Sequence, residues 1–468
     1  MDTHHTTNET VPIDDEAIEA TLAHAAKKDA AAVREVLVKA RELHGIDASE
    51  VATLMAVSDP ELLSELFDTA KFVKEEIYGR RLVLFAPLYV SNLCYNECLY
   101  CAFRASNTEL RRRALTQAEV ALEVESLLDE GHKRVLLVAG EAYPKEGFDY
   151  ILKCIETIYA TKKGHGEIRR VNVNVAPLTL EDFKRLKAAD IGTYQVFQET
   201  YHRPTYHQVH PKGQKSDFDW RVTAMDRAME AGIDDVGVGV LFGLADWRYE
   251  ILAMMQHIKH LEDKYGVGPH TISVPRLEPA FGSDIASQPP KPVDDLAFRK
   301  IVAILRVAVP YTGLIMSTRE TANIRRETFA LGVSQISAGS RTNPGGYAES
   351  EEADMSQFSL GDHRSTQEVV RDLSELGYIP SFCTACYRLG RTGADFMDLA
   401  KPGLIKNHCD VNALSTYTEY LMDYASDEIR AAAEPNIQAR LDEMPEARRK
   451  TAEALIRQVK AGKRDVFV

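Results

Sequence analysis

The chain has 468 residues, 45% of them hydrophobic and 27% charged, enough for a sizeable core, and no apolar run approaches the roughly 20 residues of a membrane span. Its 56 basic and 70 acidic side chains give a formal charge of -14, which works against nucleic acid and anionic membranes as partners and favours small-molecule chemistry. The polar, acidic opening MDTHHTTNETVPIDDE lacks the basic start and apolar stretch of a secretory signal, so a cytoplasmic protein with reduced thiols is expected.

From Asp14 to Ile77 charged and apolar residues alternate at helical spacing, with a helix start at Ser58-Asp59-Pro60-Glu61, and residues 1–80 are read as an N-terminal helical extension. Eight β-rich runs follow, each flanked by amphipathic sequence: 82–90, 134–140, 171–177, 193–199, 235–243, 271–279, 312–318 and 334–339. Helix starts lie between them, among them the capping box Thr116-Gln117-Ala118-Glu119 and the cap Thr179. Eight strand-helix units over about 250 residues predict an α/β fold, a (βα)8 TIM-type barrel spanning 81–340, with a doubly wound open sheet as the alternative. Residues 341–468 begin rich in Gly and acid, carry cysteines and end in charged helical sequence, which predicts a mainly helical C-terminal domain.

Six of the seven cysteines fall in two groups. Cys94, Cys98 and Cys101 form a C-x3-C-x2-C run just after the first predicted strand, at the barrel end where active sites sit. Three thiolates cover three corners of a cubane and leave one iron open to an external ligand; a structural zinc site is the alternative, but it wants four ligands in two pairs and no partner pair lies nearby. Cys383, Cys386 and Cys409 form a second triad, C-x2-C-x22-C. A second cluster competes there with zinc completed by His408. Cys154 lies in the helical run YILKCIETIY and reads as a buried structural thiol. Gly237-Val238-Gly239 is a poor phosphate loop because it lies within an apolar strand.

The first triad, with aromatic Tyr100 before its last cysteine, resembles the signature of the radical S-adenosylmethionine (radical-SAM) superfamily. The resemblance implies a site-differentiated 4Fe-4S cluster whose open iron holds the amino and carboxylate groups of SAM. It also implies adenine contact by Tyr100, an ammonium site at Gly140 and Glu141 in Ala139-Gly140-Glu141, a polar contact from Glu199, and Arg221, at the start of the next helix, as partner of the SAM carboxylate. Barrel, helical extension and second triad together resemble the tyrosine-lyase family that matures iron-iron hydrogenase, the G-type maturases. That likeness implies radical cleavage of the Cα–Cβ bond of L-tyrosine to p-cresol and dehydroglycine, then carbon monoxide and cyanide as iron ligands for the H-cluster. It further implies an auxiliary 4Fe-4S cluster with an additional iron ligated by His270, free cysteine as a small-molecule partner, a maturation scaffold protein as acceptor, and ferredoxin or flavodoxin as low-potential donor. Arg319 and Ser317, at the end of the seventh strand, are candidates to clamp the tyrosine carboxylate, with Glu278 at the same mouth. A helix cap with a surface arginine is the plainer reading of that segment. Two alternatives stand: 2-iminoacetate synthase of thiamin biosynthesis, which lacks the C-terminal triad, and a carrier or scaffold for Fe-S clusters.

Overall fold

The computed structural model describes residues 11–25, 29–349 and 356–468; the first ten residues of the polar opening lie outside the described residues. Four helices lead the chain, α1 (Asp15–Ala25), α2 (Ala30–Ala40), α3 (Ala48–Met55) and α4 (Pro60–Tyr78). The Asp59 side chain caps α4, accepting from the Glu61 and Leu62 N–H groups, and Pro60 supplies the first helical residue without wasting a donor.

Eight parallel strands then close a barrel: β1 (Arg81–Ser91), β2 (Arg134–Ala139), β3 (Arg170–Asn174), β4 (Tyr194–Gln195), β5 (Val236–Gly239), β6 (Thr271–Ser273), β7 (Gly313–Met316) and β8 (Val333–Ser337). Closure is made by β8 on β1, with Val83 opposite Gln335 and Phe85 opposite Ser337. The open-sheet alternative is thereby excluded. The capping box at Thr116 forms with both of its reciprocal bonds, and Thr179 accepts from the Asp182 N–H.

Two features lie outside the sequence expectation. A hairpin, Lys162–Lys163 with Gly166–Glu167, follows the helix that carries Cys154. A ninth strand, β9 (Ile379–Ser381), pairs in parallel with Arg81–Val83, below the point where β2 joins β1. Pro380 is tolerated because β9 is an edge strand. So residues 341–468 are joined to the barrel wall by backbone pairing, and Cys383 is set directly under it.

The core lies outside the barrel staves. Leu82, Leu84, Val135, Leu137, Val171, Val173, Val236, Val238, Ile272 and Leu314 are buried against the helical layer in one hydrophobic cluster that also includes residues of α1 to α4 and of the C-terminal helices. Strand residues alternate faces, so the inward set is the complementary one, and beside Val83, Phe85, Leu136, Val138 and Ile315 it carries many polar side chains: Arg134, Asn172, Asn174, Gln195, Thr271, Ser273, Gln335 and Ser337. Most (βα)8 interiors are filled by bulky branched side chains. Among the described residues no helix is long and apolar enough to cross a membrane.

Candidate functional site

Two cavities occupy the two ends of this interior. The upper, of about 1360 Å³ and open at the mouth, is lined by Cys94, Cys98, Cys101, Tyr100, Gly140, Glu141, Glu199, Arg221, Ser317 and Arg319. Every upper-end residue singled out from sequence lines it except Glu278. The lower, of about 590 Å³, is lined by Cys383, Cys386, Cys409 and His270, with Arg81, Arg134 and Tyr387. Val83, Arg134, Gly313 and Gln335 face the lower cavity; Phe85, Leu136, Ile315 and Ser337, two residues further along the same strands, face the upper. Two residues of strand span about 7 Å, so a single layer of side chains separates the cavities.

Local sequence explains how the upper thiols are held. β1 ends at Ser91 and the chain runs irregularly to Cys101. The Arg112 guanidinium gathers this loop from both sides, donating to the Asn92 and Phe103 carbonyls at 2.9 and 2.7 Å and to Arg104 O and Asn107 O at 2.5 and 3.3 Å. Gly140 passes so close to the loop that a Cβ there would lie 2.2 Å from Leu93 O. Glycine at this point is a steric requirement. Burial raises all three thiols, Cys94 to about 11 with help from the nearby Glu141 carboxylate. Burial disfavours the bare thiolates, so the partner that suits these three sulfurs is a cation or cluster that favours the ionised form.

Charged groups beside the thiols are arranged in pairs. Arg221, the fourth residue of the short helix Phe218–Val222, donates to Glu141 Oε1 at 2.9 Å and to Phe197 O at 2.7 Å. Glu141 also accepts from Asn96 at 2.6 Å. Burial pushes the Glu141 carboxyl up, but the Arg221 and Lys215 cations outweigh it and hold it below the ordinary range. Lys215 Nζ lies 2.6 Å from Glu199 Oε1. Tyr100 is buried and its hydroxyl meets His210 Nε2 at 2.8 Å. Arg221 thus meets protein carboxylates, and it is separated from β4 by another helix, Arg203–Val209.

At the far wall, Arg319 lies with its guanidinium 3.2 Å from the centre of the Phe358 ring, and burial lowers its basicity. It is no surface arginine: Glu320, its neighbour, is instead the partner of Arg276. Glu278 falls outside the cavity lining for a reason of parity: Ser273 and Pro275 face inward, so Arg276 and Glu278 turn the other way. Burial and the Glu320 charge raise the Glu278 carboxyl, and Arg319 acts on it from nearby.

Sequence reasoning missed Arg112, Lys215, Asn96 and the segment Gln357–Phe358. Gln357 accepts from the Tyr89 hydroxyl at 2.7 Å and its amide lies 3.7 Å from Cys101 Sγ. These residues reach the site from loops with no periodicity, and Gln357 crosses from the C-terminal part of the chain. The run Arg111-Arg112-Arg113 marks the loop as cationic but does not single out Arg112, since Arg111 beside it is exposed.

In the lower cavity the Cys386 and Cys409 thiols share a hydrogen bond that lowers the first and raises the second. His270 is 11% exposed in its side chain; burial lowers its pKa, Asp235 Oδ1 is 3.6 Å away, and among the described residues Nδ1 has no hydrogen-bond partner. His408 does not line the cavity and meets Arg391 at 3.1 Å, so it does not complete a zinc site. Among the described residues no three Cys, His, Asp or Glu side chains converge on one point, as a single ion requires, whereas a cubane spreads its ligands over separate irons. Soft thiol donors in threes, orphaned nitrogens beside them and a glycine cradle fit clusters of the kind the signature implies. Cys154 is buried in its helix, 3.6 Å from the Gln117 amide, as a structural thiol. A Cβ on Gly237 would lie 2.6 Å from Thr271 Oγ1, so that glycine serves packing inside the barrel.

Comparison with known proteins agrees with this geometry. Residues 88–257 match the Radical SAM superfamily, and residues 273–379 match the Biotin and Thiamin Synthesis associated domain. A crystal structure of HydG, a maturase of the [FeFe]-hydrogenase, superposes with a TM-score of 0.95 at 50% identity, covering 98% of this chain and all of that one. The chain belongs to the HydG family of radical-SAM enzymes. A second HydG structure, from Carboxydothermus hydrogenoformans, gives a TM-score of 0.82 at 39% identity over 94% of this chain and 98% of that one. The 2-iminoacetate synthase of Salmonella typhimurium is 32% identical but accounts for 72% of this chain, with 86% of its own length covered. HydG structures account for nearly the whole chain, which favours the maturase family over the thiamin-type lyase. Membership of the superfamily brings with it a 4Fe-4S cluster and SAM.

Proposed function

We infer that the chain is a radical-SAM carbon–carbon lyase of hydrogenase maturation: it cleaves L-tyrosine to p-cresol and dehydroglycine and converts the second fragment to carbon monoxide and cyanide as iron ligands for the H-cluster. The observation that carries this reading is the pair of thiol triads at opposite ends of one barrel interior, their cavities a single side-chain layer apart. A cluster carrier needs no interior route and no SAM pocket. A lyase that stops at dehydroglycine needs no second triad.

Cys94, Cys98 and Cys101 would hold the SAM cluster, and Cys383, Cys386 and Cys409 an auxiliary 4Fe-4S cluster with an additional iron on His270. When bound, SAM and its cluster supply the hydrogen-abstracting radical that no side chain can provide. The protein's own residues place and enclose the reactants. Glu141 and Glu199, each already paired with a cation, offer acceptors to the SAM ammonium and ribose; Tyr100 offers a buried aromatic ring to the adenine. Arg319 presents a permanent charge to the tyrosine carboxylate from a wall where Phe358 limits its freedom, and Ser317 offers a hydroxyl beside it. Phe103, Phe197 and Leu241 make the rest of that cavity apolar and exclude water from the cleavage site. Asn172, Gln195, Thr271 and Gln335 give a small polar fragment hydrogen-bonding partners on its way down the interior. We propose 1–80, 81–340 and 341–468 as extension, barrel and auxiliary-cluster part, and free cysteine, a scaffold acceptor and a ferredoxin- or flavodoxin-like donor as partners.

The test is one vessel: clusters reconstituted anaerobically, with SAM, L-tyrosine, cysteine and a low-potential reductant. Both p-cresol and carbon monoxide are expected. Cresol without carbon monoxide would transfer the chain to the thiamin-type lyases, and 5'-deoxyadenosine with neither product would refute tyrosine as substrate.

A further inference from the structure

Glu199 holds a φ of +70°, in the left-handed region. Such a conformation in a residue with a side chain persists only where its surroundings over-determine it. On one side the constraint is the barrel, for Glu199 O accepts from the Leu241 N–H at 2.8 Å. On the other, Lys215 meets the Glu199 carboxylate, and the two residues that follow Glu199 in the chain are held by one buried side chain. Glu250, in the helix Trp247–Tyr265, accepts from Thr200 Oγ1 with one carboxylate oxygen and from the Tyr201 N–H at 2.8 Å with the other. Thr200 Oγ1 in turn accepts from the His202 N–H at 3.1 Å, closing the turn. Glu250 is 1% exposed and lies one helix away from the cavity, and among the described residues no cation pairs with it.

A buried carboxyl without a counter-charge is costly. Here it is spent on the two residues that follow Glu199. We propose that Glu250 is a positioning residue which, through Thr200 and Tyr201, fixes the turn that aims the Glu199 side chain into the SAM pocket. This rests on the reading of Glu199 as a SAM contact.

The geometry gives the arrangement a pH dependence with a distinctive sign. Facing Glu250 are Asp246, which caps its helix, Tyr249 from the helix itself, and Tyr201 and His202 from the turn; His257, further along the same helix, meets the Tyr201 hydroxyl at 2.9 Å. Burial raises the Glu250 carboxyl to about 7, against the lowering effect of its Thr200 and backbone donors. Ionised, both of its oxygens accept charge-assisted bonds, from the Thr200 hydroxyl and the Tyr201 N–H; protonated, one oxygen donates to Thr200 Oγ1 instead, that hydroxyl turns away, and the grip on the turn loses its charge. Affinity for SAM therefore weakens as pH falls through about 7. Fold stability moves the other way, because a carboxyl with a raised folded value binds its proton more tightly folded than unfolded. Its contribution to stability grows on acidification between about 7 and the ordinary 4.5 and is lost as pH rises. A merely structural residue would move both quantities together.

The experiment is equilibrium dialysis of SAM against the reconstituted full chain from pH 6 to 8.5, with thermal unfolding in parallel, for the wild type, Glu250→Gln and Thr200→Val. In the wild type, SAM dissociation should rise about fivefold from pH 8 to 6 while the unfolding temperature does not fall from this group. Glu250→Gln should bind SAM about tenfold more weakly at pH 8, with a flat profile, and Thr200→Val about threefold more weakly with the profile kept. A Gln variant that binds within about twofold of wild type, or retains the pH profile, overturns the proposal. Should Gln not fold, unchanged affinity in Thr200→Val overturns it alone. If the wild type with an intact cluster binds no SAM, the pocket reading fails instead.

Discussion

The two ends of the barrel differ in how their charges are matched. At the upper end the two cations nearest the thiols have carboxylate partners, Arg221 with Glu141 and Lys215 with Glu199, while Arg319 on the far wall rests on the Phe358 ring. At the lower end, Arg81 Nε, Arg134 Nε, Arg170 Nη1, His270 Nδ1, Thr384 Oγ1 and one oxygen of Asp235 are buried around the second triad with no hydrogen-bond partner among the described residues. Internally neutral pairs suit a ligand that carries both charges, as SAM does, because either member can be shared without stranding the other. A surplus of cationic donors suits thiolates and the small anions of cyanide chemistry. The lesson is that one scaffold supplies two electrostatic settings by how closely its cations are matched: two tight pairs beside the first triad, and one carboxylate, Asp235, shared loosely by Arg170 and His270 beside the second.

The comparison can be broken most completely at Cys98. Cys98→Ala should abolish 5'-deoxyadenosine, p-cresol and carbon monoxide together, while the auxiliary cluster keeps its electron-paramagnetic signal; surviving cresol would refute the upper assignment. Cys386→Ser cuts the other end, and carbon monoxide should be lost with p-cresol formation kept within about threefold. His270→Ala should lower carbon monoxide by about tenfold to a hundredfold and leave cresol unchanged, with iron analysis showing loss of the additional iron alone. Arg319→Gln sharpens the upper end only: the KM for tyrosine should rise about 30-fold with SAM binding unaltered, as expected for loss of a charge-assisted bond. The smallest effect belongs between the ends. Thr271→Leu, which adds bulk at the waist, should lower the ratio of carbon monoxide to cresol about threefold to fivefold, and an equal fall in both would count against passage through the interior.

The barrel was legible because its strands are written in apolar runs at the right spacing and its helices carry side-chain caps such as Asp59 and Thr116. The triads were legible because cysteine spacing is local. What escaped were residues whose roles depend on distance in sequence. β9 is three residues long and contains a proline, so it carries no strand signal; it exists because β1 offers an unpaired edge below β2. Lys215 and Gln357 meet the upper cavity across gaps of more than a hundred residues from the first triad, and Arg112 is indistinguishable in sequence from the exposed Arg111 beside it. Glu278 was misplaced by counting to the end of a run without following the alternation of its faces.

The placement of the hydrophobic core outside the staves reverses what substitution would ordinarily reveal in a barrel. A saturation scan selecting only for soluble, folded protein should find Leu82, Val135, Val171 and Ile272 intolerant and their inward neighbours Gln195, Thr271 and Gln335 permissive. Selection for hydrogenase activity should then exact its toll on the second set. The difference between those two maps would trace the interior passage residue by residue, without a ligand ever being seen in it.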